Sequence, residues 1–320
     1  MSTGVPRPVP APARPGPRMS GESFRALHRG LCEAAGAAAG PRGALVRLTP
    51  ERVAAAAREV RTGRTVSLAA PIGTVRGPDD PQPASYRMIA PAPGESVAEG
   101  VHFARDRFAM NVHGDADSHL DALCHVMFDG ELHGGVPAGA VTPEHAGALT
   151  LDLVRDGIVG RGVLLDVPRL WDRPWLEPGE QVSAGHLEAA EAAQGVTVGP
   201  GDLLFVRLGH RLRRRTLGPW DPGEGRAGLH PRALRFVAGR GVAVLGSDGN
   251  SDAAPSAVAG VDYPAHVLAV HALGVPLLDY LDFEALTAVP DATRRPFLCV
   301  VAPLRLPSAT GSPVNPIAVL

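Results

Sequence analysis

Lysine is missing from the chain: all 31 basic residues are arginine. That excludes a Schiff-base lysine and an amine nucleophile. With the abundance of Ala, Gly and Pro it also marks a compositional bias, under which most single arginines carry little information. Cysteine is scarce. Cys32, Cys124 and Cys299 are odd in number, widely spaced and form no C-x-x-C pair. This excludes a disulfide framework and a thiolate zinc site. Cys124 lies in an apolar run and reads as a small buried hydrophobe. No stretch of about 18 apolar residues exists, so none of the chain is expected to span a membrane. The Pro-rich N-terminus lacks the apolar core of a signal peptide, and a cytoplasmic location is expected. A net charge of −2 gives no global field to attract nucleic acid or an acidic membrane. No G-x-S-x-G elbow occurs, which disfavours a serine triad.

What is present suits a globular enzyme of 320 residues with 45% apolar content. Residues 1–19 are too rich in Pro and too poor in large apolar groups to offset their ordering entropy, and are expected to be a disordered tail. Residues 20–44 read as a helical extension, with a helix from Ser20 to about Ala38. Residues 45–320 read as the main domain. Thr49-Pro50 opens a helix that Gly63 closes. A strand is expected over 65–70. Apolar runs at 160–167, 201–209, 242–246, 275–278 and 295–303 predict buried strands. Helices are expected from Ser183 to about Ala193, over 231–238 and over 264–273. Strands and helices alternate loosely after residue 150, whereas the first half mixes strands with long loops. The class is therefore α/β or α+β, mixed, in a single domain.

The chemistry concentrates in HGDADSHLDALCH, residues 113–125. Read as an extended strand, His113, Asp115, Asp117, His119 and Asp121 share one face, and the residues between are small or apolar. Carboxylates aligned on one face repel, and a divalent cation turns that repulsion into attraction. From Asp121 onward ALCHVMF reads as helical, which would put Asp121 and His125 on one face as an i, i+4 pair. Fully extended, His113 and Asp121 would stand roughly 26 Å apart, so one ion cannot collect all five side chains. The best cluster is His119, Asp121 and His125, with Asp115 or Asp117 supplementing it. His133 and His145 read as loop or surface residues, and Arg211 to Arg215 as a solvated face. His271 stands about 140° around the helix from His266, away from any shared ligand face. Asp248, at the end of a buried strand, reads either as a group supporting the site or as a turn residue.

The stretch from Asp115 to His125 resembles the metal motif His-x-Gly-Thr-His-x-Asp-x-x-x-His of the bacterial cyclase-like family. That family includes bacterial kynurenine formamidase (arylformamidase) and isatin hydrolase. HLDALCH matches its second half. Asp115 stands where the motif has its first histidine, and Asp117-Ser118 replace Gly-Thr. GRGVLLDV, QGVTVGPGDLLFVRLG, GVAVLGSD and TGSPVNPIAVL resemble family segments in order, from about residue 45 to the C-terminus. Pro264-Ala265-His266 is similar to the Pro-x-His that supplies a second-site ligand, and Asp279 occupies the place of a glutamate.

The resemblance implies a swivelling β/β/α fold: a central mixed, barrel-like sheet flanked by helices. It implies one or two divalent ions, Zn or Mn, held by Asp115, His119, Asp121, His266 and Asp279. It implies hydrolysis of an amide, formamide or lactam by metal-bound hydroxide, with His125 as general base. It also implies a homodimer or homotetramer acting on a small molecule. The Asp replacements leave several outcomes open: shifted ions, one weakened site, a preference moved from zinc toward manganese, or His113 supplying the missing imidazole. Two other readings keep the same fold. One is a cyclase or dehydratase of a specialised biosynthetic pathway. The other is a metal-binding member without hydrolytic activity.

Overall fold

The computed structural model describes residues 18–90 and 103–320, so the tail expected over 1–19 lies outside the described residues except for its last two positions. Its centre is a nine-stranded mixed sheet. In chain order the strands are β1 (Thr65–Ser67), β2 (His119–Asp121), β3 (Ile158–Asp166), β4 (Leu203–Arg207) and β5 (Val244–Ser247). β6 (Leu277–Asp279), β7 (Phe297–Val301), β8 (Gly311–Pro313) and β9 (Ile317–Val319) complete it. Across the sheet they run β1-β9-β7-β3-β4-β5-β6-β2-β8.

β3 to β6 pair in parallel. The remaining pairings, on both sides of them, are antiparallel. The apolar runs dictate this layout, because parallel strands are buried on both faces. Alternate side chains feed two cores. Val163, Leu165, Leu204, Val206, Leu245 and Leu277 point to the helix-covered side. Leu164, Leu203, Phe205, Val244, Leu278 and Leu120 point to the other. The curled mixed sheet flanked by helices is the class expected from the sequence.

Helices α1 (Gly21–Ala35), α2 (Pro50–Ala57), α3 (Ala184–Gln194), α4 (His210–Leu217) and α5 (Leu234–Arg240) surround it. α1 begins at the Ser20 cap and buries Phe24, Leu27, Leu31 and Ala35, a stripe at helical spacing. α2 ends at Ala57, short of Gly63, and Thr62 and Gly63 donate their backbone N–H groups to the carbonyl of Leu320. α6 (Pro264–His266) passes directly into a π-helical turn, Val267–Ala272. No helix among the described residues is long and apolar enough to cross a membrane.

Four expectations are corrected. The extended strand over 113–121 shrinks to β2, and residues 122–128 are turns rather than a helix. The reason is visible in the hydrogen bonds: Asp115, Ala116 and Asp117 are each drawn to a different partner (Tyr280, Arg211 and Gly73). Cys124 N–H donates to the carbonyl of Leu149, not back along its own chain. Second, 295–303 is not the last strand. β8 and β9 follow, and Pro313 is accommodated because β8 is a sheet edge. Third, the arginines of α4 are not a solvated face. Arg211 is buried against the carbonyls of Ala116, Tyr280 and Leu281, and Arg214 pairs with buried Asp79. Fourth, His133 is buried, its ring nitrogens facing the carbonyls of His271 and Ala38, each at 2.7 Å. Cys124 is buried, as expected. Asp248 is a buried capping group that accepts from the N–H groups of Leu208 and Gly209.

Candidate metal centre

β2 lies between β6 and β8, with Asp121 opposite Leu277 and His119 opposite Asp279. In a strand, positions 119 and 121 share a face while Leu120 turns into the far core. Antiparallel pairing therefore lays His119, Asp121 and Asp279 side by side. The loop 112–118 folds back over them. His113 Nδ1 comes within 2.8 Å of Asp121 Oδ1, a contact an extended chain would forbid. His266, on α6, reaches in from the other side, its Nε2 standing 3.5 Å from Asp121 Oδ2 and 3.3 Å from Asp279 Oδ2.

Two triads result: His113, His119 and Asp121, and Asp121, His266 and Asp279. Within each, donor atoms lie within 4.8 Å of one another. Asp121 belongs to both. One carboxylate shared by two donor sets is the arrangement that bridges two ions. The tautomers are prepared for it. His119 Nδ1 donates to the carbonyl of Asp117 at 2.8 Å, which leaves Nε2 free, 3.6 Å from Asp121 Oδ1. His266 Nδ1 donates to Asp252 Oδ2 at 2.7 Å, which turns Nε2 inward. Thr310 Oγ1 lies 2.9 Å from His113 Nε2 and can accept from it, while Nδ1 faces Asp121 Oδ1, where an ion would take the place of the proton between them. Ser251 Oγ donates to Asp279 Oδ1 at 2.8 Å.

The electrostatics fit a cation. Asp121 Oδ2 is buried and makes no hydrogen bond, a costly state unless a positive charge faces it. Burial opposes ionisation of Asp121, yet His113 and His266 outweigh it and hold the carboxyl well below its usual range. Burial likewise opposes charge on His266, but Asp121, Asp252 and Asp279 keep that imidazole protonated well above its usual range. A proton on His266 thus balances carboxylates that a divalent ion would otherwise balance.

His125 lines the same cavity, its Nε2 4.0 Å from Asp121 Oδ1. Its ring stacks on His113 with centroids 3.7 Å apart and planes 8° from parallel. Burial pushes its pKa down to about 4. Asp115 stands outside both triads. Its Oδ1 accepts a hydrogen bond from Tyr280 Oη at 2.6 Å, and the imidazole grouped with His119 and Asp121 is His113. Asp117 turns away to accept from Gly73 N–H. His271 faces His28, at 3.0 Å, and not the triads.

Asp252, Ser251, Thr310 and Tyr280 also contact the site residues, although no motif marks them. Asp252 carried a signal: a second carboxylate in the small-residue loop GSDGNSD, suited to orient an imidazole. The others are found only through tertiary pairing.

The cyclase family model, described as "Putative cyclase", matches residues 43–252. A solved structure described as a novel cyclase is 30% identical, with a TM-score of 0.77 over 88% of this chain and 94% of that one. Isatin hydrolase A from Labrenzia aggregata, bound to benzyl benzoate, is 21% identical, with a TM-score of 0.58 over 82% and 94%. Isatin hydrolase A from Ralstonia solanacearum is 22% identical, with a TM-score of 0.56 over 85% and 98%. These two show a shared fold. No curated protein matches the sequence.

Proposed function

The chain belongs to the cyclase family, and from that premise we propose that it is a metal-dependent hydrolase opening an amide, formamide or lactam bond of a small molecule. The observation that carries the reading is Asp121, a buried carboxylate common to two donor triads, with one oxygen left without a hydrogen bond. The donor sets suit divalent ions of intermediate hardness. Two imidazoles and a carboxylate fit zinc, and the more oxygen-rich Asp121–His266–Asp279 set also accepts manganese.

A bound ion would supply a Lewis acid for the carbonyl and lower the pKa of a coordinated water. The remaining steps belong to the chain. His125, neutral at physiological pH and partly open to the cavity, takes the proton of the attacking water and delivers it to the leaving nitrogen. Asp252 holds His266, and the carbonyl of Asp117 holds His119, so neither ring must reorient during turnover. Val126, Met127 and Val267 line the cavity of about 520 Å³ and offer apolar contact to the substrate body.

The test is element analysis of purified protein followed by assays on aryl formamides with and without chelator. Stoichiometric zinc or manganese and chelator-sensitive hydrolysis are expected. Bound metal with no turnover on any amide, formamide or lactam would favour a metal-binding member that lacks hydrolytic activity.

A further inference from the structure

One amide in the wall of the cavity above the two triads is only half used. Asn250 lines that cavity and is 8% exposed. Its side chain is oriented by a local contact: Asp252 N–H donates to Asn250 Oδ1 at 2.9 Å, closing a tight turn. Only an oxygen can accept from that N–H, so the contact also fixes which end of the amide is the nitrogen. Among the described residues Nδ2 has no hydrogen-bond partner. A buried amide nitrogen without an acceptor is a costly group, and this one sits where a bound molecule would lie. Outside the triads and His125, the other side chains of the wall are apolar, acidic or, as Tyr263, 46% exposed. Asn250 is thus the buried, fixed donor left there for a ligand.

Its place relative to the triads is set by its neighbours. Tyr280 N–H donates to the carbonyl of Gly249 at 3.0 Å. Ser251 Oγ donates to Asp279 Oδ1. The carboxylate of Asp252 accepts from the N–H groups of Ala265 and His266 and from the His266 ring. One residue, Asp252, therefore orients both a ligand of the second triad and the amide of Asn250. That loop is joined to the Oδ2 side of Asp121, where His266 stands. His125 lies on the Oδ1 side, stacked on His113. The cavity thus holds a neutral base toward one triad and a neutral donor toward the other.

We propose that Asn250 Nδ2 donates a hydrogen bond to the carbonyl oxygen of the bond that is opened, and that this hydrogen bond strengthens as the oxygen gains charge. The assignment rests on the hydrolase reading above. The oxygen of the attacking water bonds to the carbonyl carbon, His125 takes its proton, and the C=O electron pair moves onto the oxygen facing Asn250. Return of that pair breaks the C–N bond, and the proton on His125 passes to the leaving nitrogen. A carbonyl oxygen has two lone pairs, so an ion and an amide can share it. The amide is already aimed by its turn and needs no reorganisation as charge appears, which is what makes a fixed donor effective.

The test uses the full chain loaded with manganese, assayed on formanilide and on thioformanilide, whose sulfur is a weak acceptor. Asn250→Ser keeps an oxygen able to accept from Asp252 N–H but removes the donor, without adding charge. Asn250→Asp keeps Oδ1 in place and removes Nδ2. Both are expected to lower kcat on formanilide by about 10²-fold, with KM within a few-fold and bound manganese unchanged. The fall on thioformanilide is expected to be smaller by about tenfold, so that the preference for oxygen over sulfur shrinks. A residue that only closes the turn behaves differently: variants that keep the turn stay active, or slow both compounds alike. Full kcat in Asn250→Ser, an unchanged oxygen-to-sulfur ratio, or loss of manganese from both variants overturns the proposal. A wild-type chain that hydrolyses neither compound sinks the reaction assigned above. A wild-type chain that hydrolyses formanilide beside equally active variants sinks the role of Asn250 alone.

Discussion

His113 and His125 lie face to face at 3.7 Å beside Asp121, and two imidazolium rings cannot both be accommodated there. The division of labour follows. His113 is tied at both nitrogens, to Asp121 and Thr310, and in the proposed site would give Nδ1 to an ion. His125 is the ring kept neutral and open to the cavity. His125→Gln is therefore expected to lower kcat by about 10²–10⁴-fold while leaving bound metal unchanged. Steady-state kinetics with element analysis of the same sample reads both. Asp252 acts through another residue: it fixes the tautomer and direction of His266. Asp252→Asn is expected to weaken metal binding by about 10–100-fold, measured by competition with a chelating dye. That His119 and Asp121 share a face was legible in the sequence because their spacing is local, and His266 was singled out by the resemblance of its Pro-x-His context; the structure brings the three side chains together. Asp252 was not legible, because its partner lies fourteen residues on and across a turn.

Among the elements, β2 carries the site, and its short length explains what the pattern of 113–121 did and did not reveal. Alternation held for positions 119 to 121, where ladder bonds to β6 and β8 enforce it. Over residues 110–118, among the described residues, no strand pairing holds the chain extended, so each polar side chain found its own contact. The apolar runs that became β3, β4, β5, β6 and β7 were legible because burial on both faces demands uninterrupted hydrophobicity. The capped helices were legible because Ser20, Thr49 and Ser183 mark their starts. β8 was hidden by its Gly and Pro, and yet it tightens the site. A Cβ on Gly311 would lie 2.5 Å from the Leu120 carbonyl and 2.6 Å from His113 Cε1. Gly311→Ala is thus expected to push the edge strand away and displace His113. The cost is about 1–3 kcal/mol of stability, read by denaturant melts, together with weaker uptake of metal.

At the scale of the whole molecule, buried groups outside the triads add their own pH dependence to stability. Buried His210 packs against Trp220 and Tyr280, and burial pushes its pKa down to about 3 from an ordinary 6.5. Between these values the unfolded chain binds a proton that the folded one does not, so this group's contribution is present above pH 6.5 and lost as pH falls. Asp248, raised to about 7 by burial, has the opposite slope. The difference between wild type and His210→Gln isolates the histidine. The variant is expected to lack a stability loss of about 1.4 kcal/mol per pH unit between pH 6 and 4, measured by urea melts at several pH values. The overall class was legible in the order of strands and helices. The sheet order was not, because β2, β8 and β9 join it through contacts distant in sequence.

If the proposed function holds, Asp121 anchors divalent ions shared between the triads on either side of it. Anomalous diffraction at the manganese edge, from crystals of the manganese-loaded chain, tests it most directly. At least one peak is expected within bonding distance of Asp121, with His266 and Asp279 or His113 and His119 as the other ligands. Crystals in which that position stays empty, with the metal instead at another cluster such as His28 and His271, would contradict it.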